Sequence, residues 1–164
     1  MTSYTHFDSP IGPLLAARDD IGITALLLPH GDRPAEPHDA WLRDDGAFDD
    51  VREQLAEYFA GTRTAFELPL RLVGTAFQRR VWTALCDIPC GETRSYGELA
   101  ATIGTPTASR AVGAANGQNP IAVVVPCHRV IGANGSLTGY GGGLPAKRWL
   151  LEHEARHAGL FAIG

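Results

Sequence analysis

The chain has 164 residues, enough for one large domain or two small ones around a real hydrophobic core. Hydrophobic residues make up 45% of it and charged residues 20%, as in ordinary soluble proteins, and no apolar run is long enough to span a membrane. Residues 1–6 lack the basic and apolar regions of a signal peptide. Three cysteines are too few for a disulfide framework, so we expect a reducing cytosol, or the nucleus in a eukaryote.

The charge is divided unevenly along the chain. Residues 1–74 carry 6 arginines against 13 acidic residues, a net charge of −7, whereas residues 75–164 carry 8 basic residues against 5 acidic ones, a net charge of +3. The overall charge of −4 argues against non-specific binding to nucleic acid, but the C-terminal half alone is suited to face a polyanion. Chance variation in composition is the alternative explanation.

Residues 1–74 are predicted to form a small α/β domain. Residues 2–29 favour β-structure with a hairpin connection at residues 18–22, and residues 29–45 are polar and proline-bearing, as in a surface loop. A helix that ends at Gly61 should follow, because five apolar side chains recur three and four residues apart: Phe48, Val51, Leu55, Tyr58 and Phe59. None of these residues suggests chemistry, so we expect this domain to buttress the rest.

Residues 75–164 are predicted to be mostly helical. Thr75 with Gln78 three residues later has the pattern of a capping box and predicts the start of a helix. A short helix over residues 96–103, a glycine-containing turn and a second helix over residues 107–116 then give the outline of a helix-turn-helix. The outline alone is weak evidence, because any helical bundle contains such pairs.

The second helix of this pair has two contrasting faces. The face predicted to pack on the core consists of Ala108, Ala111, Val112 and Ala115. The opposite face has one long cation and almost no other side chain, and it consists of Arg110, Gly113, Ala114 and Gly117. Glycine inside a helix costs about 1 kcal/mol relative to alanine, so this face needs a reason. Either it packs closely on another element, or it approaches a ligand surface such as a DNA groove, where Arg110 is free to enter the base stack.

A nucleophile is predicted at the end of an apolar run. Residues 121–125 favour a short buried strand, which Pro126 ends because proline has no backbone N–H to donate. Cys127, His128 and Arg129 follow directly, and a thiol beside a base and a fixed positive charge suits nucleophilic chemistry. The alternative is that Cys127 is an inert core residue, as free cysteines often are.

A glycine-rich loop and a last helix follow the cysteine. Residues 131–143 contain six glycines, but no Gly-Lys-Ser/Thr sequence follows them, so a phosphate-binding P-loop is excluded. Residues 146–154 are predicted to be helical, with Glu154 as a long carboxylate near the end.

Three kinds of cysteine chemistry compete. Zinc would need Cys86, Cys90, Cys127 and His128, but no Cys-x-x-Cys pair exists, and adjacent residues on an extended chain point apart. A cysteine hydrolase or phosphatase is disfavoured because the local signatures of those nucleophiles are absent. The third chemistry is a single displacement, in which the thiol accepts a group.

The stretch Pro126-Cys127-His128-Arg129-Val130, within residues 121–132, closely resembles the active-site signature of the O6-alkylguanine-DNA alkyltransferases. Four more segments resemble this family in the order in which it uses them: residues 91–100 and 109–116 resemble its helix-turn-helix, residues 139–143 its active-site loop and residues 149–154 its terminal helix. The resemblance is continuous from about residue 75 to residue 154 and looser over residues 1–74.

The resemblance implies a role for each residue of a proton relay. Cys127 is the alkyl acceptor, His128 removes its proton through a water molecule, and Glu154 orients His128. Asn119 supports the turn that carries the thiol. Tyr96 rotates a DNA phosphate and donates a hydrogen bond towards the guanine, which helps it to leave.

The resemblance also implies which residues bind DNA and the damaged base. Arg110 is expected to replace the extruded nucleotide, and the other DNA-binding residues are expected to be Ser95, Tyr96, Ala111, Gly113 and Ala115. Contacts to the flipped base are expected from Tyr140, the backbone of Val130, Gly141 and Ser136. Because some relatives carry serine at the position of Gly141, one hydrogen bond to the base is expected to be missing. Arg129 is expected to be structural, and Cys86 and Cys90 bystanders.

The fold implied by the resemblance is α/β. It consists of a small ribonuclease H-like domain over residues 1–74 and a mostly helical, winged-helix-like domain with the helix-turn-helix over residues 75–164. No metal or organic cofactor and no membrane partner is expected. The protein is expected to be a monomer, with cooperative binding along DNA left open.

The implied function is direct reversal of DNA damage. The methyl or other alkyl group of O6-alkylguanine, and of O4-alkylthymine, moves from duplex DNA to Cys127 after nucleotide flipping, and the stable thioether limits each molecule to one reaction. One alternative is a damage-recognition protein of the alkyltransferase-like kind, which lacks the acceptor cysteine. The other is a plain helix-turn-helix repressor, which leaves the Cys127 motif unexplained.

Overall fold

The computed structural model describes residues 1–163, and a four-stranded sheet forms the base of its N-terminal part. The strands are β1 (Ser3–Phe7), β2 (Leu14–Arg18), β3 (Ile23–Leu27) and β4 (Leu42–Arg43), in the order β3-β2-β1-β4. β2 is antiparallel to both β1 and β3, whereas β4 is parallel to β1. The predicted hairpin between β2 and β3 is confirmed, and Asp19 closes its turn by accepting the N–H groups of Ile21 and Gly22.

The predicted amphipathic helix is α1 (Asp49–Ala60), which follows a single 3-10 turn at Asp45–Phe48. Its apolar stripe is confirmed, because Phe48, Val51, Leu55 and Tyr58 are all buried. Gly61 ends the helix in the left-handed conformation, with φ of 84°, and donates its N–H to the carbonyl of Tyr58. This ending holds Tyr58 in the last turn of α1.

Four helices and a small parallel sheet form the rest of the chain. The helices are α2 (Ala76–Leu85), α3 (Tyr96–Thr102), α4 (Ser109–Gly117) and α5 (Leu144–Ile163), and the strands are β5 (Arg94–Ser95) and β6 (Val130–Ile131). The capping box of Thr75 and Gln78 is confirmed at the start of α2. α3 and α4 pack as the predicted helix-turn-helix, and the indole N–H of Trp82 in α2 ties α4 down by donating to the carbonyl of Ala115 at 2.8 Å.

Residues 121–125 do not form the predicted strand. Ile121 makes a single parallel bridge to Leu26 of β3, and the chain then turns. The N–H of Val124 donates to the carbonyl of Ala122 at 2.8 Å, which places Val123 at the centre of a γ-turn with φ of 70°. A β-branched residue in this conformation costs about 1–3 kcal/mol, and complete burial of Val123 offsets the cost. The β-branched residues of this run therefore pack in the core and do not pair as a strand.

The bridge to β3 joins the active-site segment to the N-terminal sheet. The N–H of Leu26 donates to the carbonyl of Pro120 at 2.9 Å, and the N–H of Ala122 donates to the carbonyl of Leu26 at 3.0 Å. Apolar residues of both halves form one continuous core. The architecture is therefore α/β, with an N-terminal sheet domain and a helical C-terminal domain, while the boundary between residues 74 and 75 stays a prediction.

The last helix, α5, starts two residues earlier than predicted and runs nine residues past Glu154 to Ile163, whereas Gly164 lies outside the described residues. The additional residues are mostly alanine and large apolar residues, which favour helix. None of the described helices is both long and apolar enough to cross a membrane.

Candidate active site

Cys127 begins a 3-10 turn, Cys127–Arg129, at the exit of the turn around Val123. Its N–H donates to the carbonyl of Val125 at 2.8 Å, and its own carbonyl accepts from the side-chain amide of Asn116 at 3.3 Å. Both bonds fix the backbone of the thiol-bearing residue. Cys127 is 6% exposed and borders a cavity, so it is shielded from bulk solvent and still reachable from the cavity.

Asn119 holds the turn before the cysteine, as predicted. Its amide nitrogen donates to the carbonyl of Val125 at 2.8 Å, and its amide oxygen accepts from the N–H of Ile121 at 3.0 Å. One side chain thus pins both ends of the turn. Burial raises the pKa of the Cys127 thiol, whereas a hydrogen bond from Asn119 and the charge of Lys147 oppose that rise.

His128 and Glu154 form a buried pair. Nε2 of His128 lies 2.7 Å from Oε2 of Glu154, and their side chains are 0% and 1% exposed. Arg129 binds the same carboxylate twice, through Nε to Oε1 at 2.8 Å and through Nη2 to Oε2 at 2.9 Å. The structural role expected of Arg129 is therefore to neutralise Glu154, because burying an unpaired carboxylate would lower the stability of the fold.

The protonation states of the pair follow from these contacts. Burial tends to raise the pKa of Glu154, but the neighbouring His128 and Arg129 outweigh it and lower that pKa, so the carboxylate is ionised. Burial lowers the pKa of His128 more than Glu154 raises it, so the imidazole is neutral at neutral pH. An ionised Glu154 can only accept, which places the imidazole proton on Nε2. The lone pair then lies on Nδ1, which has no hydrogen-bond partner among the described residues.

Lys147 is a site residue that the sequence interpretation missed. It is buried in α5, where its ammonium donates to the carbonyls of Val130 at 2.6 Å and Thr138 at 2.8 Å. It therefore ties the residue before the glycine-rich loop to the middle of that loop and directs a positive charge towards Cys127. One signal was present in the sequence: Lys147 lies seven residues before Glu154, on the same face of the predicted helix.

A cavity of about 360 Å³ opens beside the thiol. This size is suited to a small planar ligand. Residues from both halves of the chain line it, among them Leu26, His30, Arg33, Asn119, Cys127 and Tyr140. The segment after β3 forms one wall of the cavity, so residues 1–74 shape the site as well as being expected to support the rest.

The residues predicted to contact the base are only partly brought together. Tyr140 and Gly141 line the cavity, and the hydroxyl of Tyr140 is buried without a partner among the described residues. Burial and the neighbouring Cys127 raise the pKa of Tyr140, so this hydroxyl keeps its proton. The carbonyl of Val130 already accepts from Lys147. The prediction that Ser136 contacts the base is wrong, because Ser136 is exposed in a tight turn against Gly132 and does not line the cavity.

The helix-turn-helix presents the predicted exposed face beside this cavity. Arg110 and Ala111 are exposed on α4. The prediction that Ala111 packs on the core is therefore wrong. Its exposed side chain is free to face DNA, which is the other role predicted for it. Gly113 faces the ring of Tyr96, because a Cβ there would lie 3.7 Å from Cδ1. The prediction that Ala115 binds DNA is wrong, because Ala115 is 2% exposed and packs on α2, so its side chain cannot reach DNA.

Two other predicted DNA-binding residues lie where α3 begins. Ser95 is its N-cap, and its hydroxyl accepts from the N–H of Glu98 at 3.0 Å. The hydroxyl of Tyr96 lies 2.9 Å from that of Thr138 in the glycine-rich loop. Tyr96 therefore connects the helix-turn-helix to the loop at the rim of the site, rather than lining the cavity itself.

Neither of the other two cysteines lines the cavity that Cys127 borders. Cys86 is exposed at the end of α2 and Cys90 is partly buried in the following turn. Burial raises the pKa of both thiols, that of Cys90 to about 11. Within residues 1–163, no group of three or more cysteine, histidine or acidic side chains is arranged to hold a metal ion.

Comparison with known proteins agrees with this geometry. Residues 2–72 match the family model of the 6-O-methylguanine DNA methyltransferase ribonuclease-like domain, and residues 76–156 match that of the DNA-binding domain. The methylated-DNA--protein-cysteine methyltransferase of Mycobacterium tuberculosis is 56% identical over 159 residues, which cover 96% of this chain and 95% of that protein. That of Methanosarcina acetivorans is 52% identical over 151 residues, covering 92% and 97%.

Solved structures show the same relationship. The crystal structure of Mycobacterium tuberculosis OGT in complex with DNA matches with a TM-score of 0.89 at 54% identity, covering 94% of each chain. The Mycobacterium tuberculosis O6-methylguanine methyltransferase matches with a TM-score of 0.88 over 98% of this chain. The family models match both halves of the chain, and the chain belongs to the 6-O-methylguanine DNA methyltransferase family.

Proposed function

We propose that this protein repairs DNA by moving the alkyl group of O6-alkylguanine onto the sulfur of Cys127. The carbon–sulfur bond forms as the bond between that carbon and O6 breaks, and guanine leaves with its electron pair and takes up a proton. The observation that carries the proposal is the buried Cys127–His128–Glu154 arrangement at the wall of a base-sized cavity. O4-alkylthymine presents the same type of carbon and is the expected second substrate.

Proton transfer accompanies the displacement. Because burial raises the pKa of Cys127, the thiol is protonated before reaction and needs a base. Nδ1 of His128 carries the free lone pair, and it takes the proton through a water molecule while Glu154 holds Nε2. Asn119 and Lys147 stabilise the developing thiolate, which lowers the free-energy cost of removing the proton.

The departing guanine is stabilised from the other side of the cavity. A hydroxyl that donates to a ring nitrogen or to O6 makes guanine a better leaving group. The hydroxyl of Tyr96 lies at the rim beside Thr138, while the buried hydroxyl of Tyr140 lies in the cavity close to Cys127. We assign donation to these two tyrosines, with Tyr140 contacting the base directly.

The substrate carbon is reached by flipping the nucleotide out of the duplex. An alkylated base inside the stack cannot approach a buried thiol, and extrusion costs a few kcal/mol. Arg110 on the exposed face of α4 fills the gap, while the small exposed side chain of Ala111 lets the helix approach the groove. A site of action on chromosomal DNA implies a cytoplasmic location in a prokaryotic cell.

Intact-protein mass spectrometry tests the proposal. Incubation with duplex DNA that contains O6-methylguanine should add one methyl group per molecule, and peptide mapping should place it on Cys127. Cys127→Ser should bind the same DNA and gain no mass. DNA binding by the unaltered protein without any mass gain would instead support a damage-recognition protein, and a methyl group on Cys86 or Cys90 would reject Cys127 as the acceptor.

A further inference from the structure

The N-terminal domain reaches the proton relay through one hydroxyl group. Tyr58, in the last turn of α1, donates its hydroxyl to Oε2 of Glu154 at 2.6 Å, and both side chains are buried. Among the hydrogen bonds of the described residues, this is the one link from residues 1–74 to the side chains of Cys127, His128 or Glu154. It spans 96 positions of the sequence.

The hydroxyl shares its acceptor atom with the catalytic imidazole. Oε2 of Glu154 accepts from Nε2 of His128 at 2.7 Å, from Tyr58 at 2.6 Å and from Nη2 of Arg129 at 2.9 Å. Burial, and then the adjacent carboxylate, raise the pKa of Tyr58, so its hydroxyl stays protonated and donates. Each added donor fixes the plane of the carboxylate and takes up part of its charge, which leaves less for His128.

Tyr58 is itself held from several sides. Its carbonyl accepts from Nε2 of His153 at 2.7 Å, and its ring packs edge-on against Phe59 at 5.2 Å and at a tilt against Phe66 at 5.4 Å between ring centres. These contacts hold the backbone and the ring of Tyr58 in place. The hydroxyl is therefore a fixed donor that points from one domain into the other.

We propose that Tyr58 is a positioning residue for alkyl transfer, which aligns Glu154 and limits how strongly that carboxylate increases the basicity of His128. The proposal rests on the proposed function and gives the N-terminal domain a direct part in it. The charged groups that face His128 are Glu154 and Lys147 of α5 and Arg129 of its own turn, and Tyr58 acts on it through Glu154.

Tyr58→Phe removes one oxygen atom and keeps the ring. The carboxylate then loses a donor, so it raises the pKa of His128 and holds the imidazole less firmly. The acid limb of the rate–pH profile should move to higher pH, because His128 must be neutral to act as the base. The second-order rate constant at neutral pH should fall about tenfold, since general base catalysis contributes about 100- to 10,000-fold and depends on alignment.

The experiment measures methyl transfer from O6-methylguanine DNA across roughly pH 5 to 9. The proteins are the unaltered chain, Tyr58→Phe, Phe59→Leu, Glu154→Gln and the double variant Tyr58→Phe/Glu154→Gln. Phe59→Leu is the matched control, because leucine keeps an apolar side chain against Tyr58 and Trp149, takes no hydrogen-bond donor from the carboxylate and leaves Phe66 and His153 to hold Tyr58. It should lower thermal stability and leave the acid limb in place.

Three results support the proposal together: a slower rate and a displaced acid limb in Tyr58→Phe, an undisplaced limb in Phe59→Leu, and no further loss when Tyr58→Phe is added to Glu154→Gln. An unaltered profile in Tyr58→Phe overturns it. Equal displacement by Phe59→Leu, or an undiminished loss in the Glu154→Gln background, also overturns it and leaves Tyr58 a packing residue. If the unaltered chain transfers no methyl group, the proposed function itself fails, which is a different result.

Discussion

The buried relay and the exposed face of α4 contribute to the same reaction in opposite ways. His128, Arg129 and Glu154 are at most 6% exposed, and their hydrogen bonds to each other and to Tyr58 are already formed. Arg110, by contrast, is exposed, and its side chain makes no hydrogen bond within the described part of the chain. The fold therefore arranges the reacting side chains before any substrate binds, whereas the side chain of Arg110 gains its partners only when DNA binds.

This difference follows from what each region must do. A base and a carboxylate work best when they are aligned before the substrate arrives, because reorganisation during the reaction would raise the barrier. A side chain that enters a base stack must be long, mobile and free of competing partners. Changes in the relay should thus impair chemistry on every substrate, and changes on α4 should impair only the reaction with duplex DNA.

The largest effect is expected from His128→Gln. Glutamine can still donate to Glu154 but offers no basic nitrogen to the thiol, so transfer should fall about 100- to 10,000-fold. The loss should be the same with methylated duplex and with free O6-methylguanine, while DNA affinity is kept. Single-turnover mass spectrometry and a gel-shift titration measure the two quantities. A loss confined to the duplex substrate would mean that His128 acts in DNA recognition and not in the proton relay.

Arg110→Ala should show the opposite pattern. Repair of duplex DNA should slow about 10- to 100-fold, which corresponds to about 1.4–2.8 kcal/mol of lost extrusion free energy, and reaction with the free base should be unchanged. Arg79→Ala removes an exposed arginine from α2 and serves as the charge-matched control. Equal slowing of both substrates by Arg110→Ala would exclude the extrusion role.

Lys147→Met tests the buried lysine of α5, which holds the glycine-rich loop and directs its charge towards Cys127. It should slow transfer about tenfold, because the pKa of Cys127 then rises without an opposing charge, and lower the free energy of unfolding by about 1–3 kcal/mol, because two loop carbonyls lose their donor. Arg148→Met, at the exposed neighbouring position, should change neither quantity. Rate measurements and urea denaturation decide the matter, and an unaltered rate would limit Lys147 to holding the loop.

The smallest effect is expected from a methyl group added to the loop. In Gly142→Ala the new Cβ would overlap Leu28 Cδ2 and lie 3.0 Å from Leu28 Cβ, so the loop or the segment after β3 must shift at a cost of about 1 kcal/mol. Gly141→Ala has nothing within 4 Å and should be neutral. Thermal denaturation compares the two variants. Equal melting temperatures would show that the loop yields freely and that the cavity wall is soft.

Much of the fold was predictable because its determinants are local. Gly61 as a helix end, the capping box at Thr75 and the stripe of α1 each depend on residues a few positions apart. The identity of Cys127 and its neighbours was predictable for the same reason, since the motif is contiguous. Residues 121–125 were predicted wrongly because β-branched residues favour strands in general, whereas here the packing of Val123 selects a positive φ.

The amino-acid sequence by itself determined which chemical groups are present, where most helices begin and end, and the family resemblance that pointed to Cys127, His128 and Glu154. The tertiary structure alone decided that Lys147 and Tyr58 converge on those groups and that the segment after β3 walls the cavity. The physical reason is distance along the chain. The bond from Tyr58 to Glu154 joins residues 96 positions apart, and only the packing of α1 on α5 brings them within 2.6 Å.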